Sequence, residues 1–322
     1  MTKSKIVVAD DGSTACKLAY IDPTNPDQVI TLISPNRAEL GRGFSFGSVN
    51  HVYSVDEEGT TQYTFNELKN ALPTNNKEFQ YHPQSRASVQ HALVMSGIKE
   101  TDIDLCVTLP ISQYYQKTGD ENIANIESKK KAHLGFIRSE NHQTYKINTV
   151  SVFPEGIPAM LLALEDRDIL PTDTSMLIDI GGTTSDICIF SGKLENIINI
   201  SSIECGMFEI MESIRSELTQ SMNNIYTMHL DFVLRNFDNR DAINKQIHCD
   251  IDVMQHANQT LERLYRQLLP LNNGDFLNTN VYLTGGGANI LGEFLKRYNI
   301  KSNIIAEPET ALAKAILFIK NS

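Results

Sequence analysis

Asp10, Gly12, Ser13 and Thr14, and again Asp179, Gly181, Gly182, Thr183 and Thr184, are residues whose types and order suit phosphate handling. Glycine lacks a Cβ, so its backbone can take positive φ and bring N–H groups close to an anion. Serine and threonine hydroxyls add donors. An aspartate at the end of the preceding strand repels phosphate, but it can hold a divalent cation or its water shell, and the cation screens the phosphate charge. A lone Asp-x-Gly-Ser is common in turns. Here the pattern recurs in register: adding 169 to Asp10 gives Asp179, and adding 169 to Gly12 gives Gly181. A third glycine turn, Gly285-Gly286-Gly287, follows the run ending Leu283-Thr284. Matching loops in both half-chains predict a nucleotide clamped between two related domains.

The elements that must position these loops follow from hydrophobic patterning. Residues 5–10, 15–20 and 28–33 read as three strands, the last two joined by a turn over 22–27. A strand, a glycine turn and a second strand with no helix between them is unlike a Rossmann or Walker fold, where a helix follows the glycine loop. Residues 34–84, with Gly41, Gly43 and Gly47, read as an inserted subdomain. A helix is expected over 85–96, with Val89, Ala92, Leu93 and Ser96 on one stripe and Gly97 closing it. Then come a strand over 104–111 ending at Pro110, a helix over 121–132, a strand over 145–152 and a helix over 154–165. The second half restarts with strands over 175–179, 185–190 and 194–200 and a helix over 206–219. Residues 228–270 read as mostly helical, followed by a strand over 281–284 and helices over 288–298 and 308–319. The expectation is a duplicated α/β chain with domains 1–165 and 166–322, the terminal helix (about 308–320) packing back on the first.

Composition sets bounds. At 322 residues, 41% hydrophobic and 21% charged, the chain suits two soluble domains. No apolar run approaches the roughly 20 residues of a membrane span. The N-terminus leads straight into a strand without a signal-peptide core, so a cytoplasmic protein is expected. The five cysteines lack any CxxC pair, and Cys106 and Cys188 read as buried small hydrophobes. A net charge of −11 argues against a large direct contact with DNA or RNA. The basic run Lys129-Lys130-Lys131 reads as a solvated helix face. His82, His91, His133 and His142 show no metal-ligand spacing, and His91 reads as a core-edge residue of its helix.

Taken in order, the motifs resemble the actin, Hsp70 and sugar-kinase superfamily. Its phosphate loops resemble Asp10-Asp11-Gly12-Ser13-Thr14 and Asp179-Ile180-Gly181-Gly182-Thr183-Thr184. Its connecting helices resemble Pro154-Glu155-Gly156-Ile157-Pro158-Ala159 and Pro308-Glu309-Thr310-Ala311-Leu312-Ala313-Lys314-Ala315. Its adenosine motif resembles Leu283-Thr284-Gly285-Gly286-Gly287-Ala288. Within the superfamily the chain resembles the bacterial actin-like plasmid segregation ATPases of the ParM (StbA) family, also through Gln90-His91-Ala92-Leu93 and Val107-Thr108-Leu109-Pro110.

This resemblance implies a duplicated actin-like (ribonuclease H-like) α/β fold with an interdomain nucleotide cleft. It implies an ATPase with ATP and Mg²⁺ as cofactors, GTP staying open. The implied partners are further copies of the chain in a head-to-tail filament and a ParR-type DNA-binding adaptor, with centromere DNA reached only through that adaptor and no membrane. Glu155 would orient or deprotonate the attacking water; otherwise it merely favours a helix N-terminus. Asp179 would hold hydrated Mg²⁺; otherwise it caps its own turn. Asp10 and Asp11 are both candidates for that role from the first domain, superfamily register selecting Asp10. Gly12, Ser13, Thr14, Gly181, Gly182, Thr183 and Thr184 would cradle the β- and γ-phosphates, and Gly285, Gly286 and Gly287 would pass against the adenosine. Lys17 could reach a phosphate, but strand alternation leaves outward exposure equally open, and the same holds for Asp186. The alternative is a small-molecule kinase of the same superfamily, although no polar substrate motif is visible in the first half. A chaperone-like ATPase is a third reading, with little chain after the terminal helix for a substrate-binding domain.

Overall fold

In Lys5–Asp11 (β1) the apolar run over residues 6–9 leads into Asp10 and Asp11, and residues 7–11 are buried on both faces of the sheet. The computed structural model describes residues 4–43, 50–66, 71–72, 74, 76–165, 167–222, 225–274 and 276–322, so Gly47 lies outside the described residues. Two units emerge, Met1–Glu165 with Glu309–Ser322, and Asp166–Pro308.

In the first unit β1 is followed by Ala15–Ile21 (β2), Val29–Pro35 (β3), Ala38–Leu40 (β4), His51–Ser54 (β5) and Gln62–Phe65 (β6). Next come the helix Pro83–Ser96 (α1), Asp102–Leu109 (β7), the short helix Ile111–Tyr114 (α2) and the helix Ile123–Leu134 (α3). Arg138–Ser139 (β8), Lys146–Pro154 (β9) and the helix Ile157–Leu164 (α4) complete this stretch. The main sheet has the order β3-β2-β1-β7-β9. β1 pairs antiparallel with β2 and parallel with β7, and β7 pairs parallel with β9. Val7, Ala9, Leu18, Val89, Leu93 and Val107 form one core beneath α1.

A smaller sheet, β4-β6-β5-β8, stands where the 34–84 insertion was expected. Its fourth strand, β8, comes from beyond α3, a long-range pairing that no local pattern announces. His91 of α1 stacks on Phe65 with ring centroids 4.4 Å apart, and its Nδ1 lies 3.3 Å from the Tyr53 hydroxyl. Burial, aided by the nearby His51 and His142, pushes the His91 imidazole from 6.5 down to about 3. The neutral ring is therefore the folded form. Its stabilising contribution is complete above pH 6.5, the unfolded value, and is lost as pH falls from there toward 3. The melting temperature is expected to drop over that window, and His91→Phe, which keeps a stacking ring without a titrating nitrogen, is expected to flatten the drop. An unaltered acid limb in that variant would assign the loss to other groups.

The second unit repeats the first sheet. Thr174–Ile180 (β10), Ser185–Ser191 (β11) and Asn196–Ile203 (β12) are followed by the helices Met207–Leu218 (α5), Thr227–Arg235 (α6), Arg240–Ile247 (α7) and Val253–Leu271 (α8). Thr279–Thr284 (β13), the helix Ala288–Leu295 (α9) and Ser302–Ile304 (β14) close it. The order β12-β11-β10-β13-β14 matches the first sheet strand for strand, with the same two antiparallel and two parallel pairings. α8 buries Val253, Ala257, Leu261, Leu264 and Leu268, the stripe of an amphipathic helix. The chain then returns to the first unit as the helix Ala311–Asn321 (α10), which packs on β1, β2 and α4.

Two helix starts differ from expectation. Pro154 is the last residue of β9, paired opposite Leu109, and α4 begins only after Gly156, whose φ of +74° turns the chain. Pro158 takes the early helical position where a missing N–H costs little. α10 likewise begins at Ala311 rather than at Pro308. Among the described residues no helix is long and apolar enough to cross a membrane.

Candidate functional site

The first glycine loop joins β1 to β2 as a hairpin with Asp10 opposite Lys17 and Asp11 opposite Cys16. The buried Asn36 fixes its direction. Its Nδ2 donates to the carbonyls of Gly12 at 2.7 Å and Ser13 at 3.0 Å, and its own N–H donates to the Thr14 carbonyl at 3.0 Å. A trans peptide points its N–H opposite its C=O, so the Ser13 and Thr14 N–H groups are turned away from Asn36. Lys17 leans over the loop: its Nζ is 3.0 Å from Asp10 Oδ2, and a Cβ at Gly12 would lie 3.1 Å from that ammonium. Strand alternation left Lys17 undecided; the hairpin register turns it toward Asp10.

Successive strand residues face opposite ways, and this separates the two candidate aspartates. Asp11 shares its face with Val7 and Ala9, where α1 and α3 lie. It is 1% exposed, and Oδ2 accepts from Lys129 Nζ at 2.6 Å, Ser85 Oγ at 2.9 Å and His133 Nε2 at 3.0 Å. Its Oδ1 accepts the Thr108 N–H at 3.3 Å. Burial alone would raise the Asp11 carboxyl, but the Lys129 ammonium and His133 outweigh it and hold the group far below the usual carboxylate range. Burial pushes the His133 imidazole down, partly offset by its hydrogen bond to Asp11. Asp10 faces the other way, with Lys17 on Oδ2 and the Thr108 hydroxyl on Oδ1 at 3.1 Å.

The run Lys129-Lys130-Lys131 is thus not simply a solvated face. Lys129 is wholly buried, whereas Lys131 is exposed. The helical repeat explains the difference, because Ile126, Lys129 and His133 are the buried positions of α3.

Glu155 does not open a helix, as its motif suggested. It follows β9 directly, and its N–H donates to the Leu109 carbonyl at the end of β7 at 2.9 Å. Because β1, β7 and β9 run parallel, their C-terminal ends lie along one edge of the sheet. That edge carries Asp10, Asp11, Gly12 and Glu155, and such edges are where open α/β sheets bind ligands.

The second unit has the same layout. β10 turns into β11 through Gly181, whose N–H donates to the Thr184 carbonyl at 2.9 Å. The first N–H groups of α5, from Met207 and Phe208, donate to the carbonyls of Gly181 at 3.0 Å and Gly182 at 2.7 Å, which holds the loop against that helix. β13 lies beside β10 with Asp179 opposite Thr284, so the third glycine turn adjoins the second loop. Gly285 has φ +85°, and a side chain there would run into the Asp179 carboxylate and the Ile180 carbonyl. A Cβ on Gly286 would meet nothing within 4 Å. Asp186 is buried, opposite Asp179 across the hairpin as Lys17 is opposite Asp10, and it accepts from Ser202 and, at 3.4 Å, from the Thr184 hydroxyl.

Residues 5–166 match the family model described as "Plasmid segregation protein ParM, N-terminal", and residues 169–319 match "Plasmid segregation protein ParM, C-terminal". The chain belongs to the ParM family of plasmid segregation proteins. No curated protein sequence matches it. Among solved structures it is similar to a non-polymerisable quadruple mutant of pCBH ParM, at 17% identity over 99% of both chains with a TM-score of 0.66. It is also similar to a 15-stranded ParM filament from Clostridium botulinum (17%, 99% of both chains, TM-score 0.67). Ta0583, an archaeal actin homolog, matches at 15% over 98% of this chain and 99% of that one, with a TM-score of 0.70. The fold is therefore the duplicated actin-like α/β fold.

In this ParM-family chain the sequence motifs missed Lys129, His133 and Ser85, three of the groups that hold Asp11. These belong to no motif and meet only through tertiary packing, whereas Thr108 lies in the Val107-Thr108-Leu109-Pro110 stretch, which gave it no role. The one readable signal was the spacing of Ile126, Lys129 and His133, which places a lysine and a histidine on the apolar stripe of α3.

Proposed function

We propose that this chain is an ATP-hydrolysing, filament-forming protein that segregates plasmid DNA, pushing apart centromeres held by a ParR-type adaptor. The observation that carries the reading is the repetition of one hairpin, Asp-x-Gly between the first two strands of a duplicated sheet, in a ParM-family chain. An adenine nucleotide is supported by the archaeal actin homolog of the same fold, solved in complex with ADP (14% identity, 99% of this chain and 100% of that one, TM-score 0.69). The residues present fit a phosphate group: the Lys17 ammonium lies against Gly12, 3.1 Å from where a Cβ would stand, and the loop N–H groups turn away from Asn36.

In this reading Lys17 and the backbone of Gly12, Ser13 and Thr14 hold phosphate from the first unit. Gly181, Gly182, Thr183 and Thr184 do so from the second. Asp10 and Asp179 are the carboxylates for Mg²⁺, which supplies charge neutralisation at the phosphates when bound. Asp11 is the internal anchor of its loop, committed to Lys129 and His133. Glu155 orients and deprotonates the attacking water. Gly285, Gly286 and Gly287 give the nucleoside a backbone surface without side chains. A head-to-tail contact between copies produces open filaments rather than closed rings.

Right-angle light scattering of the purified protein tests this. Mg-ATP is expected to raise scattering, which then decays as nucleotide is consumed, with Mg-ADP giving little. A flat trace at tens of micromolar protein would refute filament formation.

A further inference from the structure

We propose that Lys129 is a positioning residue for Asp10, acting through Asp11 and Thr108. This rests on the ATPase reading above and deepens it. Lys129 has no exposed surface, and besides Asp11 its Nζ touches Gln80 Oε1 at 2.5 Å. Removing an ammonium and a carboxylate from water is costly, and well-packed apolar residues often serve stability as well or better. The pair does, however, fix direction. With Lys129, Ser85 and His133 all on Oδ2, the Asp11 carboxylate presents Oδ1 to the Thr108 N–H. Thr108 is itself buried and places its hydroxyl on Asp10 Oδ1. A relay therefore runs from α3 through the end of β1 to the end of β7 and back to the opposite face of β1. It ends on the carboxylate assigned to the cation. Lys129 never touches Asp10, because neighbouring strand residues face opposite sides. Without Lys129 the relay loses its anchor, and Thr108 and Asp10 lose their fixed orientation.

A double-mutant cycle on the full chain tests the relay. Lys129→Met, Asp11→Asn and the double variant are compared for the Mg²⁺ concentration giving half-maximal binding of a fluorescent non-hydrolysable ATP analogue and, separately, half-maximal ATP hydrolysis, with near-UV circular dichroism confirming the fold. Groups behind a cation-binding residue commonly change metal affinity about 10- to 100-fold. The expected result is a rise of that order in each single variant and no further rise in the double, because all three break one relay. Additive effects would make Asp11 a direct cation contact and overturn the proposal. So would an unchanged Mg²⁺ requirement in the folded variants, which would leave Lys129 a purely structural role. Ser85→Ala takes one hydroxyl from the same carboxylate while keeping the ion pair, so it decides the matter if the Lys129 variants do not fold. It is expected to raise the requirement about threefold, within the range of one lost hydrogen bond, and no rise would overturn the relay. If the wild-type chain itself hydrolyses no ATP, the ATPase reading falls and takes the relay with it, an outcome separable from the others by the wild-type control alone.

Discussion

Glu155→Ala is expected to bind Mg-ATP and still assemble, but to hydrolyse it roughly 10²–10⁴-fold more slowly, the usual loss when a group that activates water is removed. The backbone around Glu155 argues for a role in chemistry rather than in holding the fold. Its N–H is tied to the end of β7, and the left-handed Gly156 then turns the chain into α4, so the residue is pinned at the edge of the sheet that carries Asp10 and Gly12. A helix-capping role would place Glu155 at the N-cap, the position that Gly156 holds in α4. The variant should give scattering that rises with ATP and persists for hours instead of decaying. Phosphate release within twofold of wild type would show that another group activates the water.

Asp11→Ala is expected to cost about 3–5 kcal/mol of stability, because it strands the fully buried Lys129 ammonium without its counter-charge. Asp10→Ala should cost much less. Its partner Lys17 retains access to solvent, with 14% of its side chain exposed, and can rehydrate. Urea unfolding without nucleotide separates these effects from ligand binding. Equal losses for the two variants would contradict the division of labour read from the two faces of β1. A large loss for Asp11→Ala alone would establish that adjacent acidic residues in one loop serve different ends, one internal and one turned toward ligand.

The amino-acid sequence by itself determined the duplicated strand patterns, the recurrence of Asp-x-Gly at an offset of 169, and the glycine turn after β13. These are short-range features, in which residue type and spacing dictate strand, turn and backbone freedom without help from distant parts of the chain. It also contained the alternation that sends Asp10 and Asp11 to opposite faces. It could not say which face holds which partner, because helices cover both sides of this sheet and both faces look equally apolar. Tertiary structure alone placed Lys129 and His133 on Asp11, turned Lys17 over Gly12, and brought β8 into the small sheet across some 75 residues from β6. It also moved Glu155 from a helix start to a strand end, since the pairing of Pro154 with Leu109 prevailed over the helical reading of that segment. The physical reason is common to all four. Each depends on which surfaces are buried against each other, and a charge or a proline is tolerated wherever a distant part of the chain supplies its counter-charge or its strand partner.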